Sequence, residues 1–510
     1  MKISRPYYYL PFTIYYLLFT VYNTIMNIPR EIQIIIEKLE KSGFEAYIVG
    51  GCVRDFLLKK TPKDWDITTD TKPEEIQKIF PKSFYNNKFG TVTVINKDTK
   101  DETLKNIEIT TYRIEAKYSD KRHPDKIEFT LRLEDDLARR DFTINAMAIK
   151  ITNYQLPITN YQIIDLFSGQ EDLKNKIIRA VGDPNKRFNE DALRMLRAVR
   201  FSSELDFEIE KNTFKAIKKN SELLKLISQE RIRDELKKII LSGKPSEGIE
   251  LLRKSGLLKY IIPELELGVG VSQNRHHIYT IYEHCLLSLK YCPSKKLETR
   301  LAALLHDIAK PQTKAGVGPN STFYNHDFLG AKFSRRILKR LKFPGKIVDK
   351  VSLLVKNHMF YYNVDEVSEA GVRRLIRRTG KENLKDLMDL RIADRLGSGV
   401  PKAKPYKLRH LEYLIEKVSK DPISPKMLKV NGRDIMKILD ISPSPKIGAI
   451  LKVLLSEAIE DPAKNTKEYL EKRVKELNKL SPEEIRKSEK IIEERKEEED
   501  LKDKKKFWVK

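Results

Sequence analysis

Between residues 28 and 150 the spacing of apolar positions changes period several times. IPREIQIIIEKLEKSG at 28 to 43 carries apolar residues every three or four positions from Ile32 to Leu39, opens on a proline and closes at Gly43. That is the pattern of an amphipathic helix. Ala46 to Val49, FGTVTVI at 89 to 95 and IEITTYR at 107 to 113 read as strands, and PEEIQKIF at 73 to 80 reads as a second helix. In the strand at 107 to 113, Ile107, Ile109 and Thr111 face one way and leave Glu108 and Thr110 on the other. From about 170 helix follows helix with short turns, and no strand pattern of any strength returns. The pattern predicts an α+β head followed by a largely all-α body.

Composition changes this picture in three places. At 510 residues the chain is too long for one core, so two to four domains are expected. Lysine and arginine total 98 against 73 acids, a net charge of +25 that suits a polyanionic partner. Cys52, Cys285 and Cys292 have no metal-like spacing, which predicts reduced thiols and a cytoplasmic location. The N-terminus is unusual, because no charged residue occurs between Arg5 and Arg30 and that length could span a bilayer. Pro11, the many tyrosines and the lack of a small-residue cleavage site argue against a span or a signal peptide. The expectation is that translation starts at Met26, that residues 1–25 lie upstream of the protein proper, and that no membrane is involved.

The chemistry concentrates in short stretches. In YIVGGCVRD at 47 to 55 a strand runs into Gly50 and Gly51 and then into a helix, a turn whose backbone N–H groups can hold phosphate. In KDWDITTD at 63 to 70, Asp64 and Asp66 are two apart, and strand periodicity puts both carboxylates on one face. Such a pair repels itself unless it holds a divalent cation; Mg²⁺ takes oxygen ligands and leaves room for substrate phosphates, which points to nucleotidyl transfer. Glu108 is placed to be a third carboxylate. In RRDFTINAMAI at 139 to 149 the arginines suit phosphate and Asp141 suits a sugar hydroxyl.

A helix is expected over DALRMLRAVRF at 191 to 201, with Ala192, Met195, Leu196 and Val199 in an apolar stripe and Asp191, Arg194 and Arg197 opposite. A carboxylate accepting from an exocyclic amino group, beside a guanidinium donating to a ring nitrogen, accepts cytosine and adenine and rejects uracil and guanine. Asp191 with Arg194 therefore suits template-free choice of C and A. Further on, His284, the adjacent His306 and Asp307, and Asp394 supply imidazoles and carboxylates for an unidentified divalent metal, with His326 and His358 available to a second. His123, His276 and His277 are read as ordinary residues.

GGCVRD, DWD, IEITTYR, RRDFTINA, DLFSGQEDL at 165 to 173, GDPNKRFNEDALRMLRAVRF at 182 to 201 and QERIRDEL at 229 to 236 come in an order that resembles the class II tRNA nucleotidyltransferases, the CCA-adding enzymes and bacterial poly(A) polymerases. The resemblance runs from about 28 to 470. It implies a nucleotidyltransferase palm, a mixed β-sheet with helices, followed by all-α neck, body and tail. Asp64, Asp66 and Glu108 would be catalytic with Mg²⁺, Gly50, Gly51, Arg54 and Arg140 would take the triphosphate, and Asp141 the ribose. Asp191, Arg194 and Arg197 would complete the nucleotide site. Substrates would be CTP, ATP and a tRNA 3′ end, and no protein partner is inferred. The His-Asp segment resembles the HD phosphohydrolases, a domain some CCA-adding enzymes carry. The expected divisions are an extension at 1–27, the head at 28–168, neck and body at 169–265, an HD domain at 266–400, a tRNA-binding tail at 401–477 and a charged segment at 478–510. A poly(A) polymerase, an enzyme adding only the terminal A, and an HD phosphohydrolase with an RNA-binding head are the alternatives. A C-only enzyme is disfavoured because the loop at 115 to 126, which such enzymes shorten, looks intact.

Overall fold

The computed structural model describes residues 19–22, 28–86, 90–116, 126–154, 161–274, 278–364, 366–400, 402–481, 483–485 and 487. His123, His276, His277, most of the loop at 115 to 126, most of 1–27 and most of 478–510 lie outside them. The chain divides into two compact units, residues 1–261 and 262–510.

The first unit is built on an eight-stranded sheet. In chain order its strands are β1 (Phe19–Tyr22), β2 (Ala46–Val49), β3 (Asp66–Thr69), β4 (Ser83–Asn86), β5 (Thr91–Ile95), β6 (Asn106–Thr111), then, after a separate hairpin of β7 (Arg113–Ala116) and β8 (Lys126–Phe129), β9 (Met147–Ile151) and β10 (Tyr161–Asp165). The spatial order is β1-β10-β9-β2-β3-β6-β5-β4, and β3 with β6 is its parallel pair. That pair sets Asp66 opposite Glu108 and Ile67 opposite Ile109. The alternation expected for β6 is present, with Ile107, Ile109 and Thr111 buried and Glu108 exposed. Helix α1 (Arg30–Lys41) buries Ile32, Ile35, Ile36 and Leu39. Its one buried polar side chain, Gln33, donates to the Ile28 carbonyl at 2.8 Å, so nothing polar is stranded beneath the helix. Helices α2 (Gly51–Leu57), α3 (Pro73–Ile79) and α4 (Leu133–Ala138) complete the head.

Two expectations need correction. Strand β3 starts at Asp66, so Asp64 sits in a bend before it rather than on the same strand, although Trp65 between them is buried as alternation requires. The helix over 191–201 is divided: α5 (Pro184–Glu190) ends before Asp191, which is extended (φ −137°, ψ 107°), and α6 (Leu193–Leu205) begins after Ala192. The Asp191 carboxylate accepts from the Leu193 N–H at 3.0 Å, a local bond that competes with helical continuation. Arg194 and Arg200 are buried with the apolar residues of α6. Phe19–Tyr22 pairs with β10 as the outer strand.

The second unit is helical. It contains α8 (Ile281–Lys290), α9 (Leu297–Leu305), α10 (His326–Arg340), α11 (Gly345–Asn357), α12 (Leu384–Gly397) and α13 (Tyr406–Val418), while α7 (Gln229–Leu241) precedes it in the first unit. Helix α8 opens with a reciprocal capping box between Thr280 and Glu283. It packs on α12 at unusually short range: a Cβ on Gly397 would lie 2.2 Å from Ser288 Oγ and 2.8 Å from its backbone nitrogen. Only glycine permits that approach, and one turn back along each helix it brings Asp394 to His284. A further core around Ile435, Ile450, Leu454, Leu470 and Val474 holds the C-terminal helices. Among the described residues no helix is long and apolar enough to cross a membrane.

Candidate functional site

Gly50 caps α2 at φ 84°, a conformation that favours glycine. A Cβ there would sit 3.0 Å from Arg140 Nη1 and 3.2 Å from Asp66 Oδ2, so the turn, the arginine and the carboxylate meet at one point. Burial pushes the Asp66 carboxyl up to about 7, Asp64 and Glu108 add to the rise, and Arg140 opposes it. Glu108 is raised above its ordinary value by partial desolvation and then by Asp64. Three mutually repelling carboxylates next to a cradle that a methyl group would fill fit a divalent cation. Cys52 lies beside them, but burial and Asp66 push its thiol up to about 12, which makes it a packing residue and not a nucleophile.

Around this point arginines and acids pair tightly. Arg54 donates to Asn145 at 2.8 Å and to Asp55, and its guanidinium lies 5.1 Å from the Phe201 ring. Arg139 and Arg140 both reach Asp136 on α4, while the Arg140 Nε is buried with no hydrogen-bond partner. Asp141 is held by Arg197 at 2.6 Å and by Asn145 at 3.2 Å. Burial would raise the Asp141 carboxyl, yet Arg197 and these hydrogen bonds bring it down to about 2. Asp191 and Arg194, expected to face the base, each have a partner within the protein. Both Asp191 oxygens are taken by Arg231 on α7 (3.2 and 2.6 Å), and Arg194 goes to Glu190 at 2.6 Å and to the Arg139 carbonyl at 3.0 Å. Hence both side chains are held in place by partners other than each other.

In the second unit His284, His306, Asp307 and Asp394 come together as expected, with His326 and His358 beside them. Asp307 Oδ2 lies 3.2 Å from His284 Nε2 and 3.4 Å from His306 Nε2, and its Oδ1 lies 3.4 Å from His326 Nε2 and 3.6 Å from His358 Nε2. Asp394 approaches His284 to 3.3 Å. Among the described residues the two groups whose ligand atoms fall within 4.8 Å of one another are both here, and they share Asp307. His306, His326 and His358 each turn Nδ1 to the carbonyl three residues earlier, at 2.9, 2.7 and 2.7 Å, which leaves Nε2 pointing inward. His326 Nε2 and His358 Nε2 are buried without hydrogen-bond partners. That donor set fits a divalent cation, which His284, His306, Asp307 and Asp394 would hold, with His326 and His358 available to a second. Burial would lower the His306 pKa, but Asp307 and Asp394 raise it to about 10; burial, with Lys310 and His358 nearby, lowers His326 to about 4. Lys310 lies 2.6 Å from Asp307 Oδ2 and donates to Gln273.

Known proteins resemble the chain over nearly its whole length. The family described as the poly A polymerase head domain matches residues 46–179, the probable RNA- and SrmB-binding site of polymerase A matches 206–267, and the putative tRNA nucleotidyltransferase domain 2 matches 328–474. The CCA-adding enzyme of Ligilactobacillus salivarius is 49% identical over 240 residues, 46% of this chain and 56% of that protein. That of Lactobacillus helveticus is 34% identical over 446 residues, covering 87% of this chain and 96% of the other.

The chain belongs to the CCA-adding enzyme family.

The crystal structure of the Bacillus stearothermophilus CCA-adding enzyme in complex with CTP superposes with a TM-score of 0.65 at 28% identity, over 89% of this chain and 98% of that one. The strand order makes a mixed sheet, with Asp66 and Glu108 on its adjacent inner strands β3 and β6. Reading for this family's motifs located the turn, the carboxylates and the arginines, but missed Asp136, Asn145, Glu190 and Arg231, which orient them. Arg231 sits inside QERIRDEL, a stretch that was visible; its pairing with Asp191 was not, since forty positions separate them.

Proposed function

We infer that the protein adds CCA to the 3′ end of tRNA from CTP and ATP without a nucleic-acid template. Its membership of the CCA-adding enzyme family and the meeting of Gly50, Asp66 and Arg140 support this reading. Asp64, Asp66 and Glu108 hold divalent metal, in our reading Mg²⁺; when bound, such an ion lowers the pKa of the attacking 3′-hydroxyl and offsets charge on the departing pyrophosphate. The open turn at Gly50 and Gly51 admits the triphosphate, Arg54 and Arg140 bind it, and Asp141, held by Arg197, accepts from the ribose. Asp191 and Arg194 read the base. Buried free thiols at Cys52, Cys285 and Cys292 suit the cytoplasm.

The test is a tRNA ending before CCA, given CTP alone, ATP alone, or both. Three added nucleotides are expected with both; long A tails on any RNA would mean a polymerase, and a single A on tRNA already ending in CC, with no C addition, an A-adding enzyme. For selectivity, Asp191→Ala or Arg194→Ala should narrow the preference for CTP and ATP over UTP and GTP by about 1–3 kcal/mol. Arg231→Ala should do the same in part, because it frees the Asp191 carboxylate. Equal loss of rate with all four nucleotides would make the helix purely structural.

The second unit suits a separate, metal-dependent phosphohydrolase activity: one water opens a 2′,3′-cyclic phosphate at its P–O3′ bond, or removes a 3′-terminal phosphate, and either leaves a free 3′-hydroxyl for the head. What supports it is the convergence of four histidines on Asp307, an expensive arrangement to bury unless cations complete it.

A further inference from the structure

An aromatic path leads away from the histidine–aspartate cluster. Tyr362 follows His358 by four residues, so the chain places it at most about 14 Å away. Between them Phe360 is buried beneath the Arg391 guanidinium, 5.7 Å from its ring, and Arg391 donates to Asp394 at 2.9 Å. The Tyr362 ring stacks on His410 of α13 (centroids 6.1 Å, planes 30° apart), and its hydroxyl contacts His410 Nδ1. His410 is flanked by Tyr406 at 5.8 Å and Tyr413 at 6.1 Å. Positions 406, 410 and 413 share one face of α13.

That face is not the one the helix packs with. Leu408, Leu411, Leu414 and Val418 are the buried side of α13, whereas Tyr406 is 61% and Tyr413 59% exposed. The same stretch carries Lys402, Lys404, Lys407 and Arg409, of which Lys404 pairs with Glu412 at 2.7 Å. On the cluster's side Arg395 follows Asp394 directly, and its Nε is buried with no hydrogen-bond partner. Open aromatic faces interleaved with cations suit a single RNA strand, whose bases stack while its phosphates pair; a helical protein partner would call for aliphatic surface in place of the lysines.

We propose that α13 and Tyr362 form a stacking platform for the single-stranded 3′ end of an RNA whose terminal phosphate lies in the histidine–aspartate centre, so that the substrate of that centre is an RNA strand and not a free nucleotide. The proposal rests on the phosphohydrolase reading of this centre. The reaction consumes one water: its oxygen forms the new P–O bond, one ring P–O bond of the 2′,3′-cyclic phosphate breaks, and the departing ribose oxygen takes up a proton. Bases upstream of the terminal nucleotide occupy Tyr406, Tyr413 and the Tyr362–His410 stack, and the backbone passes Lys407 and Arg409.

The experiment compares the full chain on a short oligoribonucleotide ending in 2′,3′-cyclic phosphate with the matching 2′,3′-cyclic mononucleotide, with Ni²⁺, Co²⁺, Mn²⁺ or Mg²⁺ supplied. The oligonucleotide should show a kcat/KM at least about tenfold higher, since a stacked ring contributes about that factor or more. Tyr406→Ala with Tyr413→Ala should remove the advantage through KM and leave mononucleotide hydrolysis unchanged, while Tyr406→Phe with Tyr413→Phe should retain it. Equal rates on both substrates, or an advantage that survives the double alanine variant, would overturn the platform and leave the phosphohydrolase standing; the face would then belong to another partner. No hydrolysis of either substrate with any metal would overturn the phosphohydrolase reading, and the substrate assignment with it.

Discussion

Asp66→Asn should stop nucleotide addition and, in EDTA at pH 8, make the protein melt at a higher temperature than the wild type. Loss of activity follows from removing the carboxylate at the meeting point of Gly50 and Arg140, and should reach at least about 10²–10³-fold. The gain in stability follows from linkage. Folding raises the Asp66 pKa from 3.8 to about 7, so the folded protein keeps a proton that the unfolded chain releases. Stability is therefore lost progressively as pH rises from about 4 to about 7, and above that the ionised carboxylate costs at most about 4 kcal/mol. Asparagine carries no charge to hold. The difference in melting temperature should vanish near pH 4, and shrink at pH 8 when Mg²⁺ is added to the wild type. Full incorporation by the variant would sink the assignment; identical melting at pH 8 would show that the burial of Asp66 carries no strain.

His306→Ala with Asp307→Ala should reduce ring opening of a 2′,3′-cyclic nucleotide to background and leave CCA addition intact. The two activities draw on different residues in separately compact units, and Asp307 is the group that all four histidines face. Metal content, measured on the purified proteins after dialysis, should fall in the variant by one or two ions per chain. A wild-type protein that binds none of Mg²⁺, Mn²⁺, Ni²⁺ or Co²⁺ in this unit and opens no cyclic phosphate would make the cluster a scaffold. A variant that lost CCA addition to the same degree would show that the units depend on each other.

What could be read from the sequence was set by period and spacing. Strand β6 was legible because one face is buried and the other is not, so Glu108 stood out; β4 was not, because as an outer strand with Phe84 half exposed it lacks a clean apolar face. Strand β10, in YQIID, was passed over although its burial alternates. The boundary at Asp191 was hidden by periodicity that continues through it, while the local hydrogen bond to the Leu193 N–H decides the break. Among site residues, those that carry chemistry occur in compact motifs, whereas what a holding residue pairs with is fixed by the fold, whether it lies four positions away, as Asp136 does from Arg140, or forty, as Arg231 does from Asp191. Asp136, Asn145 and Arg231 are ordinary residues until the fold brings Arg140, Arg54 and Asp191 against them.

The parallel pairing of β3 with β6 also bears on how the molecule comes into being. An antiparallel pair can zip from a local turn, as β4, β5 and β6 do in succession, but parallel neighbours meet only after the intervening chain has looped around. Asp66 and Glu108 are forty-two positions apart, and closing a loop of that length has an entropic cost before any contact returns it. A chain emerging from the ribosome thus has its three-stranded meander before it has opposed carboxylates. The centre that repels itself is assembled on strands already paired, so the repulsion falls on a scaffold able to bear it.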